Sequence, residues 1–133
     1  MLELGEGLLD TSVLVSLTAK ASRADGTAIS TLSLAELAAG PHVAGNADER
    51  SRREDRLRAI EASYAPLPFD AACARAYARI YSAMAVTGRK ARGRHAVDLL
   101  IAATAMANDL PLYTLNPDDL RGLEGVLRIV DCS

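Results

Sequence analysis

The amino-acid sequence predicts an α/β fold, a three-layer α/β/α sandwich around a mainly parallel sheet of four or five strands. Predicted strands alternate with predicted helices along the chain, which is the pattern of a parallel sheet covered on both faces. The helix predicted over residues 96–109 is apolar on nearly every side, as expected for a central, covered position. Half of the 133 residues are apolar but only 4% are aromatic, so Leu, Val, Ile and Ala must build the core.

The first half of the chain is expected to supply two strands and the helices that follow them. The predicted elements are a buried strand ending near residue 10, a short helix at 12–23, a strand at 26–31, a helix at 33–40, a loop at 41–47 and a charged helix at 48–64. Gly26 is the expected turn before the second strand. Ser33 and Gly40 are the residues expected to begin and end the helix at 33–40.

The second half repeats the alternation. The predicted elements are an extended piece at 65–69, an Ala-rich helix at 70–88, a basic loop at 89–96, the apolar helix at 96–109, a strand at 110–115, a helical turn at 116–123 and a last strand at 127–133. Asn116 is the expected cap of the helical turn, with Pro117 at its first helical position. The sequence contains no repeat and no linker, which predicts one domain over residues 1–133.

Charge and cysteine content narrow the functional classes. The formal net charge is −2, so the overall composition is not that of a basic nucleic-acid-binding protein. Cys73 and Cys132 are far apart and form no CxxC pair, which disfavours a disulfide framework or a zinc site. No signal peptide or membrane-spanning stretch is recognisable, so we expect a soluble cytoplasmic protein.

Acidic residues occur where the predicted strands end. Asp10, Glu36 and the pair Asp118–Asp119 each follow a predicted strand, and Asp98 lies in the predicted opening turn of the apolar helix. In a parallel sheet these positions converge on one edge, where ligands bind. Clustered carboxylates repel each other and favour a bound cation. Oxygen ligands without His or Cys indicate a hard ion, Mg²⁺ or Mn²⁺.

Each acid also has a purely structural interpretation. Asp10 could cap the helix that follows it. Ser33 and Glu36 have the spacing of a capping box. Asp98 could stabilise a helix dipole, and Asp119 lies three residues after a possible cap. These alternatives explain each acid singly, but they do not explain why the acids share one edge.

Four segments resemble one family in order and spacing: "LLDTSVLV", "SLAELAAG", "AVDLLIAATAMAND" and "LYTLNPDDL". Together they are similar to the PIN-domain ribonucleases, specifically the VapC toxins of type II toxin–antitoxin pairs. The resemblance implies a PIN-like fold with catalytic acids at Asp10, Glu36, Asp98 and Asp119. Asp10 and Asp98 would be metal ligands.

Around the fourth acid, Leu115 and Leu120 depart from the family pattern. Register favours Asp119, while Asp118 and Asn116 remain open alternatives. The hydroxyls of Thr11, Ser12 and Thr114 could orient a water molecule at such a site.

The resemblance also implies an activity and its partners. It predicts an Mg²⁺-dependent endoribonuclease, with Mn²⁺ as a possible substitute, that hydrolyses phosphodiester bonds of tRNA or rRNA. A VapB-like antitoxin, a homodimer and a toxin–antitoxin hetero-oligomer would follow. Four basic residues just before Asp98 are candidates for binding RNA phosphates: Arg89, Lys90, Arg92 and Arg94. The Arg-rich stretch at 50–58 is a candidate for the antitoxin groove.

Other interpretations remain open. An aspartyl phosphatase would need an acid where Ser12 stands, and a receiver domain would need a lysine after a late strand, where the chain has none. His42 and His95 belong to no recognisable catalytic motif. A non-catalytic RNA- or protein-binding module would not need the full acid set. A housekeeping RNA-processing nuclease would carry the same acids.

Overall fold

The computed structural model describes residues 5–16, 26–88 and 94–133, and for Arg94 it describes the backbone alone. The strands are β1 (Gly7–Leu9), β2 (Thr27–Ala28), β3 (Leu112–Thr114) and β4 (Ile129–Asp131). The helices are α1 (Thr11–Ser16), α2 (Thr31–Ala39), α3 (Ala47–Ser63), α4 (Ala71–Val86) and α5 (Arg94–Ala107). Two 3₁₀ turns span Gly40–Val43 and Pro117–Leu120.

The four described strands form one parallel sheet in the order β2-β1-β3-β4, which confirms the predicted α/β architecture. Leu8 of β1 is paired with Ala28 of β2 on one side and with Leu112 of β3 on the other. The central strands β1 and β3 therefore end side by side, at Leu9 and Thr114. The residues that follow them must meet at the same edge of the sheet.

Alternating strand residues bury two separate cores, one on each face of the sheet. Leu8 and Leu112 belong to the cluster formed with α4 and α5. Leu9 and Tyr113, the next residue along each strand, belong to a second cluster with side chains from α1, α2 and α3. This division follows from the two-residue period of strand side chains. It produces the three layers that the sequence predicts.

Helix α5 is the most deeply buried helix of the first core. Five of its apolar side chains are fully buried: Leu99, Ile101, Ala102, Ala103 and Ala105. Helix α4 packs along it through Ile80 and Met84, which are also buried. The central position predicted for this apolar segment is confirmed, and α5 is thereby a rigid support for Asp98.

Two predicted helix starts are wrong, and both concern acidic residues. Helix α2 begins at Thr31 and is capped by Ser30, whose Oγ accepts the Ser33 N–H at 3.1 Å. The predicted start at Ser33 fails because Ser30 already has the extended backbone of a cap and bridges to Leu67 in the extended segment 65–69. Glu36 therefore lies too far along α2 to form a capping box with Ser33.

The second correction moves the start of α5. The helix begins at Arg94 rather than near residue 96, and no acid lies in its first turn. Asp98 is thus one turn inside the helix, where a helix-dipole explanation for its position is weak. By contrast, Asp70 caps α4 as predicted, with its side chain accepting the Cys73 N–H at 3.0 Å.

Three further sequence predictions concern the end of α2, the loop that follows it and the length of α1. Gly40 ends α2 as predicted, but the predicted loop at 41–47 contains a 3₁₀ turn. The helix expected at 12–23 is described only over Thr11–Ser16, and the rest lies outside the described residues. Within the described ranges, no helix is long and apolar enough to span a membrane.

Candidate active site

An open cleft of about 540 Å³ lies where β1 and β3 end. Its walls contain all four of the predicted catalytic acids, Asp10, Glu36, Asp98 and Asp119. The predicted supporting residues Thr11, Ser12, Thr114 and Asn116 also line it, together with Val15, Ser16, Leu112, Leu115 and Leu120. The acids come from four separate segments, so it is the parallel sheet that brings them together.

Asp10 follows β1 directly and is held by three hydrogen bonds, one to its backbone and two to its side chain. Its backbone N–H donates to the Tyr113 carbonyl at 3.0 Å, which extends the sheet to the edge of the cleft. Its Oδ1 accepts the Val13 N–H at 3.1 Å and the Ser12 hydroxyl at 2.6 Å. The capping interpretation is therefore correct, yet it occupies only Oδ1. Among the described residues, no protein donor bonds to Oδ2, which leaves it available to a ligand.

Ser12 connects the two central strand ends. Its Oγ donates to Asp10 and accepts the Leu115 N–H at 3.1 Å. Next to it, Thr114 is buried, and its Oγ1 accepts the Asn116 N–H at 3.0 Å. The Ser12 hydroxyl thus holds the segment that follows β3 against the turn after β1, and the Thr114 hydroxyl orders that segment locally. The predicted water-orienting role of these hydroxyls remains a prediction.

Glu36 reaches the cleft from α2 and is held from across it. The Thr11 hydroxyl donates to Glu36 Oε1 at 2.6 Å, a length typical of a bond to an ionised carboxylate. Thr11 also lies 2.9 Å from the Ser33 hydroxyl. Glu36 is therefore oriented by a side chain adjacent to Asp10, and not by the cap of its own helix.

The two candidates for the fourth acid point to different places. Asp119, on the 3₁₀ turn Pro117–Leu120, lines the cleft and is exposed to solvent. Asp118 forms an ion pair with Arg121 at 3.1 Å, its side chain is 85% exposed, and it is absent from the cleft wall. Asn116 lines the cleft and stands at the N-cap position of the 3₁₀ turn, as predicted, although its side chain makes no capping hydrogen bond.

The cleft is strongly acidic within the described residues. None of the five described ion pairs involves Asp10, Glu36 or Asp119. No three His, Cys, Asp or Glu side chains in those residues are close enough to form a complete protein cage for a metal ion. The carboxylates in the cleft wall are oxygen ligands of the kind that Mg²⁺ takes, usually one or two of them together with water and substrate phosphates.

Cys132 is a neighbour of the site that sequence reasoning did not identify. Its backbone N–H donates to the Thr114 carbonyl at 2.8 Å, so it lies directly after β4, beside the end of β3. Burial raises the pKa of the Cys132 thiol, and the negative charges of Asp10 and Asp131 raise it further. A sequence signal existed, since residue 132 follows a predicted strand, but a lone cysteine there suggested no chemistry.

The structure describes the predicted phosphate-binding residues less completely than it describes the acids. Arg89, Lys90 and Arg92 lie outside the described residues, as does the side chain of Arg94 at the start of α5. His95, one residue later, is partly buried, and its Nε2 has no hydrogen-bond partner among the described atoms. It does not line the cleft.

Comparison with known proteins identifies relatives of this chain. The model of the PIN domain family matches residues 7–124. Ribonuclease VapC5 of Mycobacterium tuberculosis is 34% identical over 128 residues, which cover 92% of this chain and 91% of that protein. The matched range contains all four acids that line the cleft.

Solved structures share the fold over nearly the full length. A member of the VapBC family of toxin–antitoxin systems, VapBC-5 from Mycobacterium tuberculosis, superposes with a TM-score of 0.77 at 34% identity, covering 95% of this chain and 96% of that chain. FitAcB from Neisseria gonorrhoeae gives a TM-score of 0.70 at 27% identity, covering 92% and 96%. DNA-bound VapBC from Salmonella typhimurium gives 0.73 at 23% identity, a likeness of fold, and covers 96% and 98%.

Proposed function

The chain belongs to the PIN-domain ribonucleases of the VapC toxin family, and from this membership we propose that it is the toxin of a type II toxin–antitoxin pair that cleaves RNA with the help of a divalent cation. The observation that carries the proposal is the cleft, where four acids from separate segments meet at the carboxyl edge of the sheet. Residues 1–133 would act as one PIN domain.

The acids divide into two roles. Asp10 and Asp98 would hold Mg²⁺, or Mn²⁺ in its place, because one extends from the end of β1 and the other from the rigid helix α5. When bound, the cation supplies Lewis acidity and lowers the pKa of water. Glu36 keeps Oε2 free of protein donors among the described residues and would accept a hydrogen bond from the attacking water. Asp119, exposed at the rim, would complete the acidic set.

The substrate phosphates need positive charge, and no Lys or Arg is among the described residues that line the cleft. The segment with Arg89, Lys90, Arg92 and Arg94 leads directly into α5, four residues before Asp98. We assign it to the RNA backbone, where cations bind phosphates irrespective of sequence and make affinity depend on salt. tRNA or rRNA is the proposed substrate class.

The partners follow from the same chemistry and from the relatives. Since similar structures are toxin–antitoxin complexes, we propose a VapB-like antitoxin, a homodimer and a hetero-oligomer of the two proteins. An antitoxin arginine placed in the cleft would pair with its carboxylates through charge-assisted hydrogen bonds and block the site. Because the proposed substrate is cellular RNA, we propose that the protein acts in the cytoplasm.

The deciding experiment is cleavage of tRNA and rRNA by toxin purified free of antitoxin, with Mg²⁺, with Mn²⁺ and with EDTA. Asp98→Asn should reduce cleavage about 100-fold or more, because metal stabilisation of the transition state is worth several kcal/mol. Asp55→Asn is the matched control, since this exposed acid on α3 pairs with Arg58, away from the cleft. RNA left equally intact by wild type and variant in every metal would favour the non-catalytic binding module.

A second pair of variants decides the fourth acid. Asp119→Asn should reduce cleavage, whereas Asp118→Asn should retain it, because only Asp119 lines the cleft. The two substitutions are adjacent in sequence and change the net charge of the protein equally. Loss of cleavage in Asp118→Asn alone would reverse the assignment.

A further inference from the structure

The geometry points to Ser33 as a positioning residue. We propose that its buried hydroxyl fixes Thr11, and that Thr11 in turn fixes the Glu36 carboxylate in the cleft. The inference rests on the proposed function for its effect on cleavage, but its structural part concerns the metal-free protein. It depends on contacts between α1 and α2, whose residues are separated by more than twenty positions in the sequence.

The direction of the hydrogen bonds follows from proton counting. Thr11 Oγ1 lies 2.6 Å from Glu36 Oε1 and 2.9 Å from Ser33 Oγ. A threonine hydroxyl has a single proton. The carboxylate can only accept when ionised, and its contact is the shorter one, so the Thr11 proton belongs to Glu36. Ser33 must then supply the proton of the Ser33–Thr11 contact. The two hydroxyls form a short chain that ends on the carboxylate.

Ser33 is suited to this role because it cannot easily move. Its side chain is 0% exposed, and its backbone N–H is bound to the Ser30 cap at 3.1 Å. The Ser30 hydroxyl is 3.5 Å from Ser33 Oγ, at the outer limit of a hydrogen bond. Ser33 therefore provides a fixed point in the first turn of α2, on the same helix face as Glu36 three residues later.

The chain of hydrogen bonds from Ser33 through Thr11 to Glu36, called the relay below, affects the site as a whole. Thr11 follows Asp10 directly, so the relay sets the position of the α2 carboxylate relative to the acid at the end of β1. Without Ser33 Oγ, Thr11 loses the partner that holds its rotamer, and Glu36 can adopt other side-chain conformations. Because Glu36 is assigned to the chemical step, kcat should fall while KM for RNA stays nearly constant.

The test is a double-mutant cycle with Ser33→Ala, Thr11→Val and the double variant. Loss of one net hydrogen bond corresponds to a decrease of up to about tenfold in kcat, which we expect for Ser33→Ala. Thr11→Val should lower kcat at least as much, and the double variant should be no worse than Thr11→Val. Such non-additivity is the signature of two residues acting through one chain.

Thr104→Val is the matched control. Thr104 is also 0% exposed, and its hydroxyl donates to the Leu100 carbonyl at 3.0 Å within α5, outside the cleft wall. Removing that hydroxyl should lower the melting temperature, as Ser33→Ala does, while kcat stays at the wild-type value. If Ser33→Ala does not fold, Ser33→Cys, a weak donor of similar size, takes its place in the cycle.

The structural readout needs neither metal nor RNA. A crystal structure of metal-free Ser33→Ala should show Glu36 displaced from Thr11 or in several rotamers. Glu36 unmoved in that structure, or effects of Ser33→Ala and Thr11→Val that simply multiply, would overturn the relay. A wild-type protein that cuts no RNA would overturn the proposed function instead, and the position of Glu36 would still decide the relay.

Discussion

Ser12→Ala tests whether one hydroxyl connects the two central strand ends. The substitution removes the donor to Asp10 Oδ1, at 2.6 Å, and the acceptor of the Leu115 N–H, at 3.1 Å. A hydrogen bond to a charged group contributes about 1.5–3 kcal/mol and a neutral one about 0.5–1.5 kcal/mol. The site is partly open to water, which replaces some of both. We therefore expect a loss of about 2 kcal/mol in the free energy of unfolding.

The assay measures stability and cleavage on the same preparation. A loss of about 2 kcal/mol corresponds to a decrease of about 6–10 °C in the melting temperature of a chain this long. Among the residues that the structure describes, the Asp10 carboxylate then keeps only the Val13 N–H as a donor, so it can rotate. A fall of about tenfold in kcat should follow.

Asn46→Ala provides the control for this prediction. Asn46 caps α3 by accepting the Glu49 N–H at 2.8 Å, and it does not line the cleft. Its loss should lower stability by about 1 kcal/mol and leave kcat unchanged. If Ser12→Ala loses stability but cleaves RNA as fast as Asn46→Ala, the role of Ser12 in orienting Asp10 is refuted.

Two further predictions follow from the described contacts. Burial and the charge of Asp10 raise the pKa of the Cys132 thiol, so Asp10→Asn should speed alkylation of Cys132 at pH 8–9. Mass spectrometry measures this rate, and alkylation of the fully buried Cys73 should not change. Equal Cys132 alkylation rates in wild type and variant would contradict the prediction. Because the raised pKa favours the neutral thiol in the folded state, its contribution to stability is present below the ordinary thiol pKa and is lost as pH rises through the folded pKa. Arg53→Ala should lower the free energy of unfolding in urea by about 1 kcal/mol, since Arg53 Nη1 donates at 2.9 Å to the Gly40 carbonyl at the 3₁₀ turn after α2. Arg52→Ala should lower it less, because the described partner of Arg52 is Glu49 in an exposed ion pair. A larger loss for Arg52→Ala than for Arg53→Ala would contradict the proposed role of the Arg53–Gly40 hydrogen bond.

The sequence by itself determined the α/β class, the parallel sheet and three of the acids that line the cleft, Asp10, Glu36 and Asp98, whereas it left the fourth open between Asp119, Asp118 and Asn116. Strand residues such as Leu8 and Leu9 alternate between two cores, and α5 is apolar almost all round, so periodicity was a reliable guide. The positions of the acids after strands then predicted a shared edge, because parallel strands end on one side of a sheet. These features depend on local pattern and topology.

Only the tertiary structure decided what holds each acid. Local spacing paired Ser33 with Glu36 in a capping box, but the chain caps α2 at Ser30, and Glu36 is bound by Thr11. Ser12 similarly bonds to a backbone group more than a hundred residues away. Short-range motifs describe what a residue can bind among its neighbours in sequence. Which partner it binds depends on the packing of α1 against α2 and on the register of β1 with β3, and both are set by contacts between distant parts of the chain.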